Sequence, residues 1–321
     1  MKDKVLSVLE SHNGYVSGEY LSKILGVSRT AVWKAINRLR EDGYVIDSVT
    51  NRGYCLKKKA DQLNTGLISS GLETSVVGTR IEVMKTVDST NEEIKRRAAT
   101  GEESGLLIAA ERQTGGKGRL GRSWKSDSGG LYFTFLLRPE LPPNEISGIT
   151  LAAGYGVCVA VREFTGLDAR IKWPNDIIIG SKKICGILTE MTAQTDRVDF
   201  VAVGIGINVN NKEFPEEIKD KATSLYLESG MEIDRNDFLS VVIGDLDIAA
   251  GQFLSGFPRN MKEHFKSLCA TLGRNVTAHR GGRIIEGTAV DITDEGNLLI
   301  RDNSGEPVEI NSGEVVVQGI Y

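Results

Sequence analysis

The chain has 321 residues, of which 40% are hydrophobic and 26% charged, and only 7 are proline. This composition predicts a soluble globular protein of two or three domains. Because no apolar stretch is long enough for a membrane span and the N-terminus lacks an apolar signal core, we expect a cytoplasmic protein with no membrane partner. The 4 cysteines and 3 histidines are scattered, which argues against a disulfide framework or a metal cluster.

The net charge of −4 is unevenly distributed. Residues 1–60 contain 11 Lys or Arg and 6 Asp or Glu, so they carry +5 and the rest of the chain carries −9. A basic head (residues 1–60) followed by an acidic body (residues 61–321) indicates a nucleic-acid-binding domain joined to a part with a different function.

Three short helices are predicted in this head. Apolar residues at helical spacing mark the first two, and Gly26 ends the second. Ser28 is placed to cap the third, which runs from about Arg29 to Arg40. Two helices joined by a Gly-Val-Ser turn, the second with a basic outer face, predict a helix-turn-helix.

A hairpin with a basic tip at Thr50-Asn51-Arg52 follows the third helix and is expected to act as a wing along the DNA backbone. Small three-helix cores also occur as protein-binding modules, so that alternative stays open. Trp33 faces outward but receives no role. The predicted DNA contacts are Ser28, Arg29, Thr30, Lys34, Asn37, Arg38 and Arg52. We assign residues 1–60 to this domain and 61–72 to a linker.

Residues 73–270 alternate between strand and helix patterns, which predicts a mixed α/β or α+β domain on one large sheet. The predicted strands are 80–85, 105–110, 131–137, 169–172, 183–192 and 199–208. The predicted helices are 91–100 and 146–165, with two more between 237 and 270.

A loop at residues 116–122 interleaves three glycines with three cations, a combination suited to binding phosphate. It matches the G-x-G-x-x-G pattern of dinucleotide-binding proteins. However, a strand follows where that motif requires a helix, and a P-loop sequence is also absent. The element is therefore strand, basic loop, strand, and the alternative is a mobile, solvated loop.

Four further features of the central domain combine polar residues with turns or glycines. Residues 88–91 begin a helix, where Ser89 and Thr90 could cap it or contact a ligand. Residues 172–176 place a cation, an aromatic and two polar groups around Pro174, and residues 182–188 put lysine at the mouth of an apolar strand. Two glycines in the strand at 203–210 indicate close approach of a ligand or a neighbouring chain.

Residues 271–321 contain short strands separated by turns at 280–282, 294–297 and 303–305. This pattern predicts a small β-barrel that is SH3-like by resemblance. It could support the active site or the docking of an acceptor, or serve only as a structural cap.

Four segments that follow the predicted winged helix resemble, in this order, those of the bifunctional biotin–protein ligases and biotin operon repressors. The segments are Gly116–Trp124, Lys172–Asp176, Lys183–Leu188 and Gly204–Asn208. The resemblance spans nearly the whole chain. It implies an α+β multidomain protein whose central domain is similar to class II synthetase-like biotin ligases. Lys117 stands where the family usually has arginine. Lysine keeps the positive charge but lacks the planar guanidinium that can donate two parallel hydrogen bonds.

The resemblance implies that biotin carboxylate attacks the α-phosphate of ATP, and that a lysine of a biotin carboxyl carrier protein then takes the biotinyl group from biotinyl-5'-AMP. The implied catalytic residues are Lys183, Arg119 and Asp176, the last as a Mg²⁺ ligand or a proton acceptor. Implied biotin contacts are Ser89, Thr90, Asn91, Gln113, Gly116, Lys117, Gly118, Arg119, Lys183 and Gly186. Implied nucleotide contacts are Arg119, Arg122, Trp124, Asn175, Lys183 and Asn208.

The resemblance also implies that biotinyl-adenylate promotes homodimerisation and that the dimer binds operator DNA. A repressor that senses biotin with little ligase activity, a ligase with a vestigial head and a lipoate ligase are the alternatives. Lys183, Arg119 and Asn208 argue against the first, the +5 head against the second, and the basic loop with the winged helix against the third.

Overall fold

The computed structural model describes residues 1–321 except 42, 59–60, 195–196, 257–258, 281–282 and 312. Two compact units are present, residues 1–62 and 63–321. Lys59 and Ala60, at the predicted end of the head, and Gly281-Gly282 of one predicted turn lie outside the described residues. None of the described helices is long and apolar enough to cross a membrane.

The first unit is a three-helix core with a β-hairpin. Its elements are α1 (Lys2–Glu10), α2 (Gly18–Leu25), α3 (Arg29–Glu41), β1 (Val45–Val49) and β2 (Gly53–Lys58). Gly26 ends α2 in the left-handed conformation with φ of 63°. The Ser28 hydroxyl accepts a hydrogen bond from the Ala31 amide at 3.2 Å, so Ser28 caps α3 as predicted.

Helix α3 buries one face and exposes the other. Val32, Ala35, Ile36 and Leu39 pack into the small core, as their spacing requires. The opposite face carries the predicted DNA contacts Arg29, Thr30, Lys34, Asn37 and Arg38, and Trp33 on it is 53% exposed. A large aromatic group therefore lies among the basic and polar residues of this helix.

The hairpin of β1 and β2 is fastened to the helical core. Val16 exchanges backbone hydrogen bonds with Tyr54, and the Tyr15 hydroxyl donates to Asp47 at 2.5 Å. The Arg52 guanidinium, at the hairpin tip, lies 4.5 Å from the centroid of the Tyr15 ring. The wing thus has a defined position in this unit.

The second unit contains α4 (Thr65–Ile68), β3 (Arg80–Met84), α5 (Thr90–Ala99), β4 (Leu106–Ala110), β5 (Leu131–Leu137), α6 (Ser147–Thr165), β6 (Ala169–Lys172), β7 (Asp176–Ile179), β8 (Lys182–Ala193), β9 (Val198–Ile207), α7 (Leu225–Ser229), α8 (Arg235–Leu254) and α9 (Arg259–Leu268). The seven strands form one mixed sheet in the order β3-β4-β5-β9-β8-β7-β6. The predicted mixed α/β domain on a large sheet is confirmed.

Helices cover both faces of this sheet. The long apolar helices α6 and α8 pack on one face and form the main core with residues such as Phe133 and Phe135. On the other face, α5 covers a smaller cluster that includes Ile94, Leu136 and Ala202. Helix α5 covers only part of its face, and the remaining surface becomes the floor of the cleft described below.

Five antiparallel strands complete this unit: β10 (Asn275–Arg280), β11 (Arg283–Ile292), β12 (Leu298–Asp302), β13 (Pro307–Ile310) and β14 (Glu314–Val317), in the order β13-β12-β11-β10-β14. Trp173 joins this sheet to the large one. Its indole nitrogen donates to the Gly296 carbonyl at 3.1 Å, and its ring is buried in the common core.

Two short α-helices and one strand of the second unit were not predicted, and several predicted ends differ from the observed ones by one or two residues. Helix α4 lies in the predicted linker 61–72, and Ile68 is fully buried in the main core, so this part of the linker belongs to the second unit. Strand β7 and helix α7 were not predicted. Both are only 4 or 5 residues long, too short for a periodic pattern to identify.

Candidate active site

The floor of the cleft is a glycine-lined part of the large sheet. Side chains alternate along a strand, so Ala202, Gly204 and Gly206 of β9 share one face. Gly204 pairs with Thr134 and Leu188, whereas Gly206 pairs with Tyr132 and Gly186. At Gly186, Gly204 and Gly206 this face therefore presents bare backbone.

One wall is the N-terminus of α5. The Thr90 amide and hydroxyl both donate to Gln113 Oε1, at 2.8 and 3.1 Å, and Gln113 Nε2 donates to the Ser126 hydroxyl at 2.8 Å. Ser89 occupies the cap position, but its side chain makes no cap hydrogen bond. Of the two interpretations left open by the sequence, this geometry favours a ligand contact by Ser89.

Asn91 lies beneath the cleft with its polar atoms committed to protein partners. Its Nδ2 donates to Glu190 Oε2 at 2.9 Å and to the Leu188 carbonyl at 3.3 Å, while Oδ1 is 2.7 Å from the Thr134 hydroxyl. A Cβ at Gly204 would lie only 1.8 Å from Asn91 Oδ1. Asn91 thus supports the floor and also lines the cleft.

The basic loop folds as an arm whose two sides are joined by hydrogen bonds. The Trp124 amide donates to the Gly116 carbonyl at 2.9 Å, and the Gly118 amide donates to the Arg122 carbonyl at 2.7 Å. A Cβ at Gly116 would lie 2.4 Å from the Trp124 carbonyl oxygen, which explains a glycine there. The tip bears Leu120, which is 71% exposed with φ of 57°.

The arm places Trp124 on the glycine floor. Cβ atoms at Gly186 and Gly206 would lie 2.9 and 2.6 Å from its indole, so both glycines are needed for this packing. Trp124 Nε1 is buried and has no hydrogen-bond partner among the described residues. A buried donor without a partner is costly, and a ligand acceptor would satisfy it.

Two cations meet at the opposite side of the floor. Lys183 Nζ lies 2.6 Å from Asp176 Oδ1 and 5.2 Å from the centroid of the Trp124 ring. Arg119 Nη1 donates to Asn175 Oδ1 at 2.7 Å. Burial lowers the pKa of the Arg119 guanidinium, and a guanidinium remains charged despite such a shift. The structure thus brings the predicted Lys183, Arg119, Asn175 and Asp176 together.

The C-terminal sheet reaches the same place. Arg119 Nη2 donates to the Gly313 carbonyl at 3.1 Å, and Arg122 pairs with Glu314. This hydrogen bond from Arg122 holds the pKa of Glu314 below its ordinary value. The arm is therefore held partly by residues nearly 200 positions away in sequence.

The resulting cleft is open to solvent, and about 450 Å³ of space, solvent included, lies between its walls. Its lining combines the glycine floor, the start of α5, the arm and the cationic side: Ser89, Thr90, Asn91, Gln113, Lys117, Gly118, Arg119, Trp124, Asn175, Lys183, Gly186, Ile187, Leu188, Gly204, Ile205 and Gly206. Most of the predicted ligand contacts lie in this set.

The other predicted ligand contacts are placed differently. Asn208 is buried outside the lining, where Nδ2 donates to the Thr223 carbonyl at 3.0 Å and holds that segment beside the sheet. Arg122 points to the C-terminal sheet, and Gly116 shapes the arm without reaching the cleft. Lys117 lines the cleft, but its ammonium pairs with Glu92 at 2.5 Å.

Among the residues that the structure describes, the acidic side chains do not combine into a protein-built metal site. No group of three or more His, Cys, Asp or Glu side chains could share a metal ion within the described parts of the chain. Asp176 already accepts from Asn175 and Tyr321 besides pairing with Lys183. This donor set does not fit a resident Mg²⁺ ion.

Some residues of the site carried no recognisable sequence signal. Gly313, Glu314 and Tyr321 lie in a terminal region whose strand pattern says nothing about the cleft. Gly204 and Gly206 were detectable, because paired glycines in an apolar strand indicate a close approach.

Residues 83–208 match the Biotin/lipoate A/B protein ligase family, residues 2–55 match an HTH domain, and residues 271–317 match the Biotin protein ligase C terminal domain. Fold and site thus define a protein ligase of the biotin or lipoate type with a helix-turn-helix head.

The more similar proteins combine both parts. The chain is 38% identical over 307 residues to the bifunctional ligase/repressor BirA of Bacillus subtilis, covering 95% of this chain and 94% of that protein. It is 31% identical over 309 residues to BirA of Escherichia coli, covering 94% of each. The chain belongs to the family of bifunctional biotin ligases and repressors.

A solved structure agrees with this assignment. The biotin protein ligase from Aquifex aeolicus, in complex with biotin and ATP, has a TM-score of 0.66 and 37% identity. The match covers 75% of this chain and 99% of that one.

Proposed function

We propose that this protein joins biotin to a lysine of a biotin carboxyl carrier protein through biotinyl-5'-AMP, and represses biotin genes when biotin is plentiful. The observation that carries the ligase proposal is the convergence of Lys183 and Arg119 on a bare glycine floor. A cleft with fixed cations suits a reaction that brings two anions together.

In the first half-reaction, a biotin carboxylate oxygen bonds to the α-phosphorus of ATP. The bond from that phosphorus to the bridging oxygen breaks, and pyrophosphate leaves. Lys183 and Arg119 would stabilise the charge on the carboxylate and the phosphoryl oxygens. Lys183 must then exchange part of its contact with Asp176 for these new partners.

Biotin's ureido ring would bind at the α5 end of the floor. Thr90 and Gln113 form a fixed polar wall there, and Ser89 presents its hydroxyl beside them. Since Asn91 is held by Glu190 and Thr134, it would shape this end indirectly. Leu188, which pairs with Gly204 and shares the floor face, supplies an apolar contact for the rest of the molecule.

The nucleotide would contact Trp124, whose indole ring offers a face for adenine and whose N–H has no hydrogen-bond partner among the described residues. A second open cleft adjoins the other side of Trp124, lined by residues of the arm and by Pro215, Glu217 and Ile218. Magnesium would enter with ATP, coordinated mainly by its phosphates.

In the second half-reaction, the carrier lysine attacks the carbonyl carbon of the adenylate. A C–N bond forms, the C–O bond to phosphate breaks, AMP leaves, and the amine loses a proton. Asp176 is the nearest carboxylate to Lys183 and is our proposed acceptor for that proton. Exclusion of water by the arm would protect the anhydride.

Repression would use the exposed face of α3 and the wing at Arg52. A single helix-turn-helix per chain suits a dimer that reads two half-sites. Strand β7 pairs with one edge of β8 as far as Gly186, whereas β9 pairs with the other edge as far as Ala193. The first edge therefore extends beyond β7 and offers a means of dimerisation. Such an edge can pair with its copy about a two-fold axis.

Biotin-dependent exchange of pyrophosphate into ATP tests the ligase proposal. We expect exchange with biotin, little with lipoate, and a loss of at least about 100-fold in Lys183→Ala, as for removal of an electrostatic stabiliser. Lys182→Ala removes a neighbouring lysine outside the cleft and serves as the matched control. Absence of exchange with biotin would overturn the enzymatic proposal and favour a biotin-sensing repressor.

Binding to DNA from upstream of the organism's biotin genes tests the repressor proposal. Lys34→Ala should weaken binding and reduce the salt slope by about one, as loss of one phosphate contact does. Lys4→Ala, in α1, is the control. If wild-type protein with biotin and ATP binds this DNA no better than unrelated DNA, the head is vestigial.

Sedimentation with and without biotin plus ATP tests dimerisation. We expect wild-type protein to dimerise only with both ligands, and Lys183→Ala, which forms the adenylate far more slowly, to dimerise correspondingly slowly. An unchanged wild-type monomer at micromolar concentration would refute the link between adenylate and dimer.

A further inference from the structure

Tyr321 lies beside the cationic side of the cleft, although it comes from the far end of the sequence. Its backbone amide donates to the Ser181 carbonyl at 3.2 Å, next to the start of β8. Its hydroxyl donates a short hydrogen bond to Asp176 Oδ2. Burial raises the pKa of this phenol, so Tyr321 remains a neutral donor.

Asp176 connects Tyr321 to the proposed catalytic lysine. The Asp176 Oδ1 atom lies 2.6 Å from Lys183 Nζ and accepts from Asn175 Nδ2 at 3.1 Å. Its Oδ2 atom accepts from Tyr321. Each carboxylate oxygen is thus assigned to its own partners, and rotation of this carboxylate would break both sets of contacts.

The ring of Tyr321 contacts a second lysine. Lys172 Nζ lies 3.7 Å from the ring centroid, and Lys172 is only 8% exposed. Its ammonium makes no hydrogen bond or ion pair with the residues that the structure describes. The cation–π contact with the face of the Tyr321 ring therefore stabilises this charge. The ring therefore stabilises Lys172 while the hydroxyl binds Asp176.

We propose that Tyr321 is a positioning residue for the ligase reaction, whose hydroxyl fixes Asp176 so that Lys183 holds its ammonium over the glycine floor. This inference rests on the proposed function of Lys183. Without the hydroxyl, Oδ2 loses its donor and the carboxylate can rotate. Lys183 would then spend less time in the position needed for transfer to the α-phosphorus.

Tyr321→Phe separates the two contacts, because it removes the hydroxyl and keeps the ring over Lys172. We expect kcat for biotin-dependent exchange to fall about tenfold, the size expected for a lost hydrogen bond to a charged group. KM for biotin should change less than about twofold, since the floor and the α5 wall are unaltered. Tyr155→Phe, on α6, is the control and should match wild type.

The double variant with Asp176→Asn tests the route of the effect. If Tyr321 acts through Asp176, Tyr321→Phe should lower kcat less than about twofold in the Asp176→Asn background. A full tenfold loss there would overturn the proposal, as would a single Tyr321→Phe variant with wild-type kcat. Wild-type exchange with biotin in the same assay separates these outcomes from failure of the proposed function, which would abolish all exchange.

Discussion

Gly204→Ala tests whether the floor of the cleft requires glycine. The new Cβ would lie 1.8 Å from Asn91 Oδ1, 2.7 Å from its Cγ and 2.9 Å from its Nδ2. Asn91 is 4% exposed and held by Thr134, Leu188 and Glu190, so it cannot move aside without breaking hydrogen bonds. Overpacking together with one or two lost hydrogen bonds should lower the free energy of unfolding by about 3 kcal/mol.

Urea unfolding of the second unit, followed by fluorescence, measures this cost as a lower midpoint at unchanged slope. Gly244→Ala is the matched control. A Cβ there meets nothing within 4 Å, and its position inside α8 predicts a gain of about 0.5 to 1 kcal/mol.

We also expect Gly204→Ala to be strongly coupled to Asn91→Ala. That change removes the obstructing amide, so Gly204→Ala should cost less than about 1 kcal/mol when added to it. If Gly204→Ala alone unfolds at the wild-type midpoint, or costs the same in both backgrounds, the packing argument is refuted.

Three further changes probe the fold away from the cleft. Glu111→Ala should cost about 3 kcal/mol in urea unfolding, because it removes the carboxylate that pairs at 2.7 Å with Arg235, which is 1% exposed; a cost below 1 kcal/mol would contradict this. Burial raises the pKa of Asp245 from 3.8 to about 6, so its contribution to stability should fall as pH rises through that window. Asp245→Asn should remove this pH dependence and raise the free energy of unfolding by about 1 kcal/mol at pH 7, after allowance for the partial exposure of the side chain. If the stability of both proteins changes equally with pH, Asp245 is not the group responsible. Ser28→Ala should cost the first unit about 1 kcal/mol in thermal unfolding through the lost cap on Ala31, and no change would show that the cap is dispensable.

The periodic parts of the fold were predictable from sequence. Strand β5 has the predicted bounds, and helix α6 begins one residue after its predicted start, because long apolar patterns report directly on burial. Ser28 and Gly26 gave the ends of helices through their local hydrogen bonding and backbone preference. These features depend on residues within a few positions of one another.

The different contacts made by the cations of the basic loop were not predictable from sequence. Arg119 and Arg122 are equivalent in the sequence of the arm, yet one lines the cleft and the other pairs with Glu314. That difference depends on a sheet nearly 200 residues further along the chain. Asn208 shows the same limit, because its amide satisfies a loop carbonyl that no local pattern identifies.

The chain contains three tryptophans, and each occupies a different physical setting. Trp33 is exposed on the outer face of α3, Trp124 lies on the glycine floor and Trp173 is sealed in the core beneath the C-terminal sheet. Because indole emission depends on its surroundings, replacing two of the three tryptophans by phenylalanine at a time would leave a single indole as an optical probe. Trp33 would report the binding of nucleic acid, Trp124 the binding of small ligands and Trp173 unfolding, with no dye attached.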